Sequence, residues 1–325
     1  MYESFFNLTR NPFELAPDPA CFVPTKRHNE ALAALYYGIR RRKGFVVLTG
    51  EVGTGKTLLL RCLLGLLRDS KDVAYAYVFN GRLSPTEFLQ YILYDFGLPA
   101  AGKSKSELLF ALGQFLVSRG ARNMTTILIV DEAHHLSADI LEEVRLLSNL
   151  ETDNEKLLQI VLVGQPELNE KLDSPSLRQL KQRIAVRTHL GSLDINEVER
   201  YIRQRLTIAG GISCPNPLFS AQAIAAVYRQ SRGLPRLINT ICDNALVTAY
   251  AKRLPNVTPD VIADVAKEFR LDVYSPEPKG LNGIGDRRVA DLLLELYAAL
   301  QKPSTRDLDA DGHPTAEVIK HEPYI

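Results

Sequence analysis

The sequence predicts an α/β fold, a parallel β-sheet covered by helices on both faces, with an all-helical unit after it. Three observations carry this. Between residues 44 and 190, short strand-like runs alternate with segments of helical periodicity. The runs Phe45–Leu48, Ile127–Val130 and Ile160–Val163 are apolar throughout, the pattern of strands buried on both faces. Past Ser192 the strand-like runs stop and four helical segments follow in succession.

Composition bounds the rest. A chain of 325 residues is long enough for two packed units, and 46% hydrophobic with 24% charged residues is ordinary for a soluble globular protein. The net charge of +1 gives no global attraction to nucleic acid or to a membrane surface. Residues 273–325 hold 6 Lys+Arg and 9 Asp+Glu, a net of −3, which leaves +4 on residues 1–272. Cys21, Cys62, Cys214 and Cys242 lack metal-site spacing, so neither a zinc site nor a disulfide framework is indicated. No secretory leader is visible and no apolar run nears the ~20 residues of a membrane helix, so a cytoplasmic location without a membrane span is expected.

The elements follow in order. The first 25 residues, with Asn11-Pro12-Phe13 and Pro17-Asp18-Pro19, are too proline-rich for a long helix. Their aromatics suit either a nucleotide base or packing of an arm on the core. Residues 25–42 turn helical and end in Arg40-Arg41-Arg42-Lys43, a solvated helix end or a small nucleic-acid contact. Strand Phe45–Thr49 is followed by Gly50-Glu51-Val52-Gly53-Thr54-Gly55-Lys56-Thr57 and then by a helix from Leu58. Val73–Phe79 reads as a strand, and Ser84…Glu87 and Ser104…Glu107 are capping boxes that open two helices. Strand Thr125–Val130, a helix from Ser137, strand Leu158–Val163 and strand Ile184–Leu190 complete the sheet. Helices over 194–209, 220–232, 235–252 and 258–270 each begin at a cap or a proline. The expected division is an arm and α/β core over 1–191, a helical lid over 192–272, and a linker with a largely disordered acidic tail over 273–325.

Gly50–Thr57 fits G-x-x-x-x-G-K-[ST] at every required position, with the strand and helix that the pattern needs on either side. Its glycines let backbone N–H groups converge on a phosphate chain at a helix N-terminus. Lys56 supplies a full charge to the β- and γ-phosphates, and the Thr57 hydroxyl is a magnesium ligand. The expected nucleotide-binding set is therefore Gly50 through Thr57 with Leu58, and the expected cofactors are ATP and Mg²⁺. Asp131-Glu132, 74 residues beyond Thr57 at the end of an apolar strand, pairs with this loop. Asp131 is the second magnesium ligand and Glu132 polarises the attacking water. Asp131-Glu132-Ala133-His134 also spells a helicase signature, but no second motor sheet follows. Gln165, at the tip of the next strand, is placed to orient the water. Arg183, with Arg178 as alternative, and Arg236, early in a lid helix, are the candidates for phosphate-charge stabilisation.

Together these residues resemble an AAA+ ATPase, with Gly50–Thr57 as Walker A, Asp131-Glu132 as Walker B, Gln165 as sensor one and Arg236 as sensor two. More narrowly, the chain resembles the general secretion pathway protein A group, including relatives at exopolysaccharide and exosortase loci. That likeness rests on Asn11-Pro12-Phe13, Pro17-Asp18-Pro19, Gly44–Thr57, Leu162–Leu168 and Gln182-Arg183-Ile184, and it covers residues 1–272. It implies self-association into a ring or filament and an unknown protein client in envelope secretion or polysaccharide export. Secretion members also carry a membrane span and a peptidoglycan-binding domain, neither of which is seen in this sequence. A related branch regulates DNA transposition, so DNA is a second possible partner, though not one indicated by charge.

Overall fold

The computed structural model describes residues 1–68, 72–79, 83–152, 155–210 and 217–271. The linker and tail expected over 273–325 lie outside the described residues. Strands β1 (Phe45–Gly50), β2 (Val73–Val78), β3 (Thr125–Val130), β4 (Gln159–Gly164) and β5 (Ile184–Leu190) form one sheet in the order β2-β3-β4-β1-β5. Every pairing in it is parallel.

Successive residues of a strand point to opposite faces, and both faces are covered. Phe45, Val47, Leu128, Val130, Ile160 and Leu162 enter one core with helices α4 (Pro85–Asp95), α5 (Lys105–Gly120) and α6 (Ala138–Leu147). Their neighbours Val46, Leu48, Ile127, Ile129, Val161 and Val163 enter the other, against α2 (Lys26–Arg40) and α3 (Lys56–Arg68). This is the two-face coverage that the apolar runs predict. β5 differs: it lies at the sheet edge and its exposure alternates from residue to residue.

After β5 come α9 (Ile195–Ile208), α10 (Ala221–Ser231), α11 (Pro235–Ala251) and α12 (Pro259–Glu268), which share a third core. The N-terminal arm packs into that core. Tyr2 and Phe6, from the short α1 (Tyr2–Phe5) and its end, are buried there with Leu8, Phe13 and Val23. The arm's buried aromatics thus fill a protein core instead of facing a nucleotide base. Its motifs are local devices. Asn11 Oδ1 accepts the Phe13 N–H at 2.7 Å, and Asp18 caps a short 3₁₀ turn by accepting the Ala20 N–H at 2.9 Å.

Two arginines anchor the arm from both sides. The buried Arg205 of α9 donates to the carbonyls of Cys21 (3.1 Å) and Glu14 (2.9 Å), and Arg61 of α3 donates to Pro17 O at 2.8 Å. The basic run at the end of α2 is spent largely inside the molecule. Arg40 pairs with Asp72, Arg42 with Glu155 and Asn123, and Lys43 lies over the Tyr37 ring. Among the described residues, no helix is long and apolar enough to cross a membrane.

Candidate functional site

Parallel strands finish on one side of the sheet, and that end gathers the chemistry-bearing residues. Gly50 closes β1, Asp131 follows β3 and Gln165 follows β4, with Thr49 in register with Gly164 and Val130 with Leu162. The loop between β1 and α3 turns through Gly53 at φ 82° and Gly55 at φ 97°, a region that glycine enters without strain. Lys56 is buried, and its Nζ donates to the loop's own carbonyls at Gly50 (2.8 Å) and Glu51 (3.0 Å). Burial lowers its pKa, against the opposing pull of Glu132 and Asp131. An ammonium has three donors, so one is left for a ligand.

Asp131 is buried, with three groups converging on its carboxylate. Oδ2 accepts from the Tyr77 hydroxyl at 2.7 Å and from Thr57 Oγ1 at 3.4 Å, and Oδ1 accepts the Glu132 N–H at 2.9 Å. Thr57 and Asp131 are hard oxygen donors side by side, the donor set that magnesium prefers. Glu132 takes a left-handed backbone conformation (φ 52°, ψ 34°) where the strand breaks into a short 3₁₀ turn, Ala133–His135. Its carboxylate Oε2 is buried and without a hydrogen bond.

Gln165 N donates to His134 Nδ1 at 3.3 Å, which ties the end of β4 to the turn after β3. Glu132, His134 and His135 offer three ligand atoms within 4.8 Å of one another. Its two nitrogens suit softer ions than magnesium.

Arg236 lies in the first turn of α11, and the helix end abuts the phosphate loop. Its N–H donates to Gly53 O at 3.1 Å, and a Cβ on Gly53 would lie 2.8 Å from that of Arg236. Its side chain is exposed and, among the described residues, pairs with no carboxylate. Arg183 is elsewhere. It precedes β5 at the end of the sheet opposite the loop, since Ile184 pairs with Phe45 while Leu190 pairs with Gly50. There it donates to Arg145 O at 3.0 Å and to Ser148 Oγ, at the end of α6. Arg178, exposed, opens the short helix α8 (Arg178–Gln182), after α7 (Glu167–Leu172).

Sequence reasoning missed three residues of this site. His28, buried behind the phosphate loop, has Nδ1 2.7 Å from Thr25 Oγ1 and Nε2 3.2 Å from Thr54 O. A carbonyl only accepts, so Nε2 carries the proton; burial pushes the imidazole pKa down to about 4. Its one sequence signal is its place in the first turn after the Thr25 cap. Tyr77 was hidden as an ordinary strand tyrosine. His134 was noticed only as a letter of the helicase signature.

Residues 39–172 match the family model described as AAA domain. Over 253 residues the chain is 46% identical to "General secretion pathway protein A" of Aeromonas hydrophila, an alignment that takes in 78% of this chain. The chain spans 45% of that relative's length. It is 26% identical over 261 residues to "ATP-dependent target DNA activator B" of Escherichia phage D108, covering 79% of this chain and 76% of the phage protein. In fold it is similar to the Aeropyrum pernix ORC2 protein, solved as ADPNP-ADP complexes. The TM-score is 0.57 at 18% identity, over 82% of this chain and 75% of that one. The five-stranded parallel sheet, the phosphate loop on β1 and these likenesses agree: the chain carries an AAA domain and is similar to general secretion pathway protein A.

Proposed function

We propose that the chain binds ATP with Mg²⁺ at Gly50–Leu58 and hydrolyses it to ADP and phosphate. On this reading it is a self-associating cytoplasmic switch or motor in the assembly of an envelope secretion or polysaccharide-export system. The observation that carries the chemistry is the meeting of the Lys56 loop with Asp131 and Glu132, through the 3.4 Å contact of Thr57 and Asp131. Thr57 and Asp131 hold the magnesium ion, which when bound neutralises charge on the phosphates. Lys56 gives its remaining donor to phosphate oxygen, Glu132 takes a proton from water, and Gln165 orients that water. Arg236 brings a cation to the loop from the helical lid. Residues 1–191 are the arm and ATPase core, 192–272 the lid, and 273–325 a linker and tail. The role in secretion or export rests on the 46% identity to the Aeromonas protein.

Two variants test the chemistry. Lys56→Ala is expected to weaken nucleotide binding at least tenfold, because the phosphates lose their fixed cation. Glu132→Gln is expected to keep binding and to lose 10²-fold or more in turnover, a size typical of general-base removal. Wild-type turnover by Glu132→Gln would refute the assignment.

The second reading is a DNA-associated ATPase, which the 26% identity to the phage activator favours. The internal pairing of Arg40 and Arg42 leaves little of the basic run for phosphate backbone. ATPase rates with and without double-stranded DNA separate the two, and stimulation that falls steeply with salt would favour the DNA reading.

A further inference from the structure

We infer that His134 is a positioning residue that couples the carboxylate of Glu132 to the end of β4. The inference rests on the proposed hydrolysis and adds a part to it.

The geometry places one nitrogen between two claimants. His134 Nδ1 lies 3.3 Å from the Gln165 N–H and 3.4 Å from Glu132 Oε2. It cannot serve both with one proton arrangement. Accepting from Gln165 requires Nδ1 to be bare and Nε2 to carry the hydrogen. Giving a hydrogen bond to Glu132 requires Nδ1 to be protonated. In the arrangement described here the amide is served, and Glu132 Oε2 and His134 Nε2 are both buried without a hydrogen bond. A buried polar atom left unpaired is costly, so the contest is not neutral. Whatever moves the Gln165 amide away frees Nδ1 to take a proton and hold Glu132.

The surroundings are built to keep the imidazole at this junction. Lys171 of α7 donates to His134 O at 2.5 Å and to Leu136 O at 2.7 Å, pinning the middle of the turn and the residue that follows it. Gly164 permits the turn's close approach, since a Cβ there would stand 3.2 Å from His134 N. The His134 side chain is only 7% exposed, and its ring lies 4.0 Å from that of His135. Magnesium, bound by oxygen ligands, makes no demand on this imidazole. His134 therefore acts through Glu132 and the Gln165 segment, not on the substrate.

The test uses the full chain and four variants: His134→Ala, His134→Asn, Glu132→Gln and the double variant that joins His134→Ala to Glu132→Gln. His134→Ala is expected to lower kcat by tenfold or more while the affinity for a fluorescent ATP analogue stays within twofold. His134→Asn, whose Oδ1 can accept the Gln165 N–H, is expected to recover most of that loss. Adding His134→Ala to Glu132→Gln is expected to cost nothing further, because the group being positioned is already gone. Wild-type kcat in His134→Ala alongside a dead Glu132→Gln overturns the inference and leaves the hydrolysis reading intact. Active Glu132→Gln overturns the hydrolysis reading instead. Equal losses in His134→Ala and His134→Asn, with lowered melting temperatures in both, would show a structural role only and also overturn the inference.

Discussion

His28 shows how one buried side chain can set the pH range over which a fold is stable. Its pKa is about 4 in the fold and 6.5 in the unfolded chain, so between these values the unfolded state binds more protons. Stability contributed by neutral His28 is therefore full above pH 6.5 and is lost as the pH falls toward 4. At 1.36 kcal/mol per pK unit the loss across that window is about 3 kcal/mol. Thermal unfolding followed at pH 7, 5.5 and 4 should show the drop. His28→Gln, which keeps a donor and an acceptor without titrating, should flatten it. An identical pH profile for His28→Gln would assign the acid sensitivity to other groups. Ionised carboxylates that titrate below pH 4.5, such as Glu87 in its capping box with Ser84, serve as an internal control, because the substitution leaves them in place.

At the scale of elements, Gly233 is the joint on which the helical layer turns. It links α10 to α11 at φ 73°, accepts the Leu193 N–H at 2.9 Å, and leaves no room for a side chain. A Cβ there would stand 2.0 Å from Leu193 O. Gly233→Ala is expected to cost roughly 1–3 kcal/mol from backbone strain alone, and more from the clash. Because α11 begins at the phosphate loop, nucleotide affinity should fall with stability. Denaturant unfolding and ATP binding measured on one sample check this, and a wild-type midpoint would mean that the joint relaxes easily. Most such elements were legible in the sequence, because the signals that define them are local. Ser84, Ser104 and Asp194 cap their helices with reciprocal Glu87, Glu107 and Glu197 contacts, and each box lies within four residues. All five strands lie within a residue or two of the segments expected from the sequence. What stayed hidden joins distant positions. Arg205 holds Glu14 O across 191 residues and the Tyr2 hydroxyl reaches Asp243 across 241, and no periodicity encodes either. His134 was illegible for a related reason, since its partner Gln165 lies on a different strand end 31 residues away.

For the whole molecule, the position of Arg183 bears on how copies of the chain would work together. β1 and β5 are parallel, so Arg183 and the phosphate loop sit at opposite ends of adjacent strands. Six residues at about 3.3 Å each put them roughly 20 Å apart, beyond the reach of one side chain. Arg183 therefore cannot serve the phosphate loop of its own chain. Its guanidinium has donors beyond the Nη1 bonds to Arg145 O and Ser148 Oγ, and those bonds hold it in place. A head-to-tail assembly presents this end of one subunit to the loop end of the next, a heterologous interface that closes into a ring or extends as a filament. Arg183→Ala is then expected to lose ~10³-fold or more in turnover with nucleotide binding nearly intact. Arg178, exposed one short helix earlier, is the control: if it is the acting residue, Arg178→Ala shows that loss and Arg183→Ala does not. Mixing distinguishes action within a chain from action across an interface. Arg183→Ala and Lys56→Ala are each expected to be inactive alone. Mixed, some interfaces join an intact Lys56 to an intact Arg183 from the neighbour, and part of the activity should return. A mixture that co-assembles, as read by light scattering or crosslinking, and still fails to turn over ATP would rule out Arg183 as the residue that completes a neighbour's site.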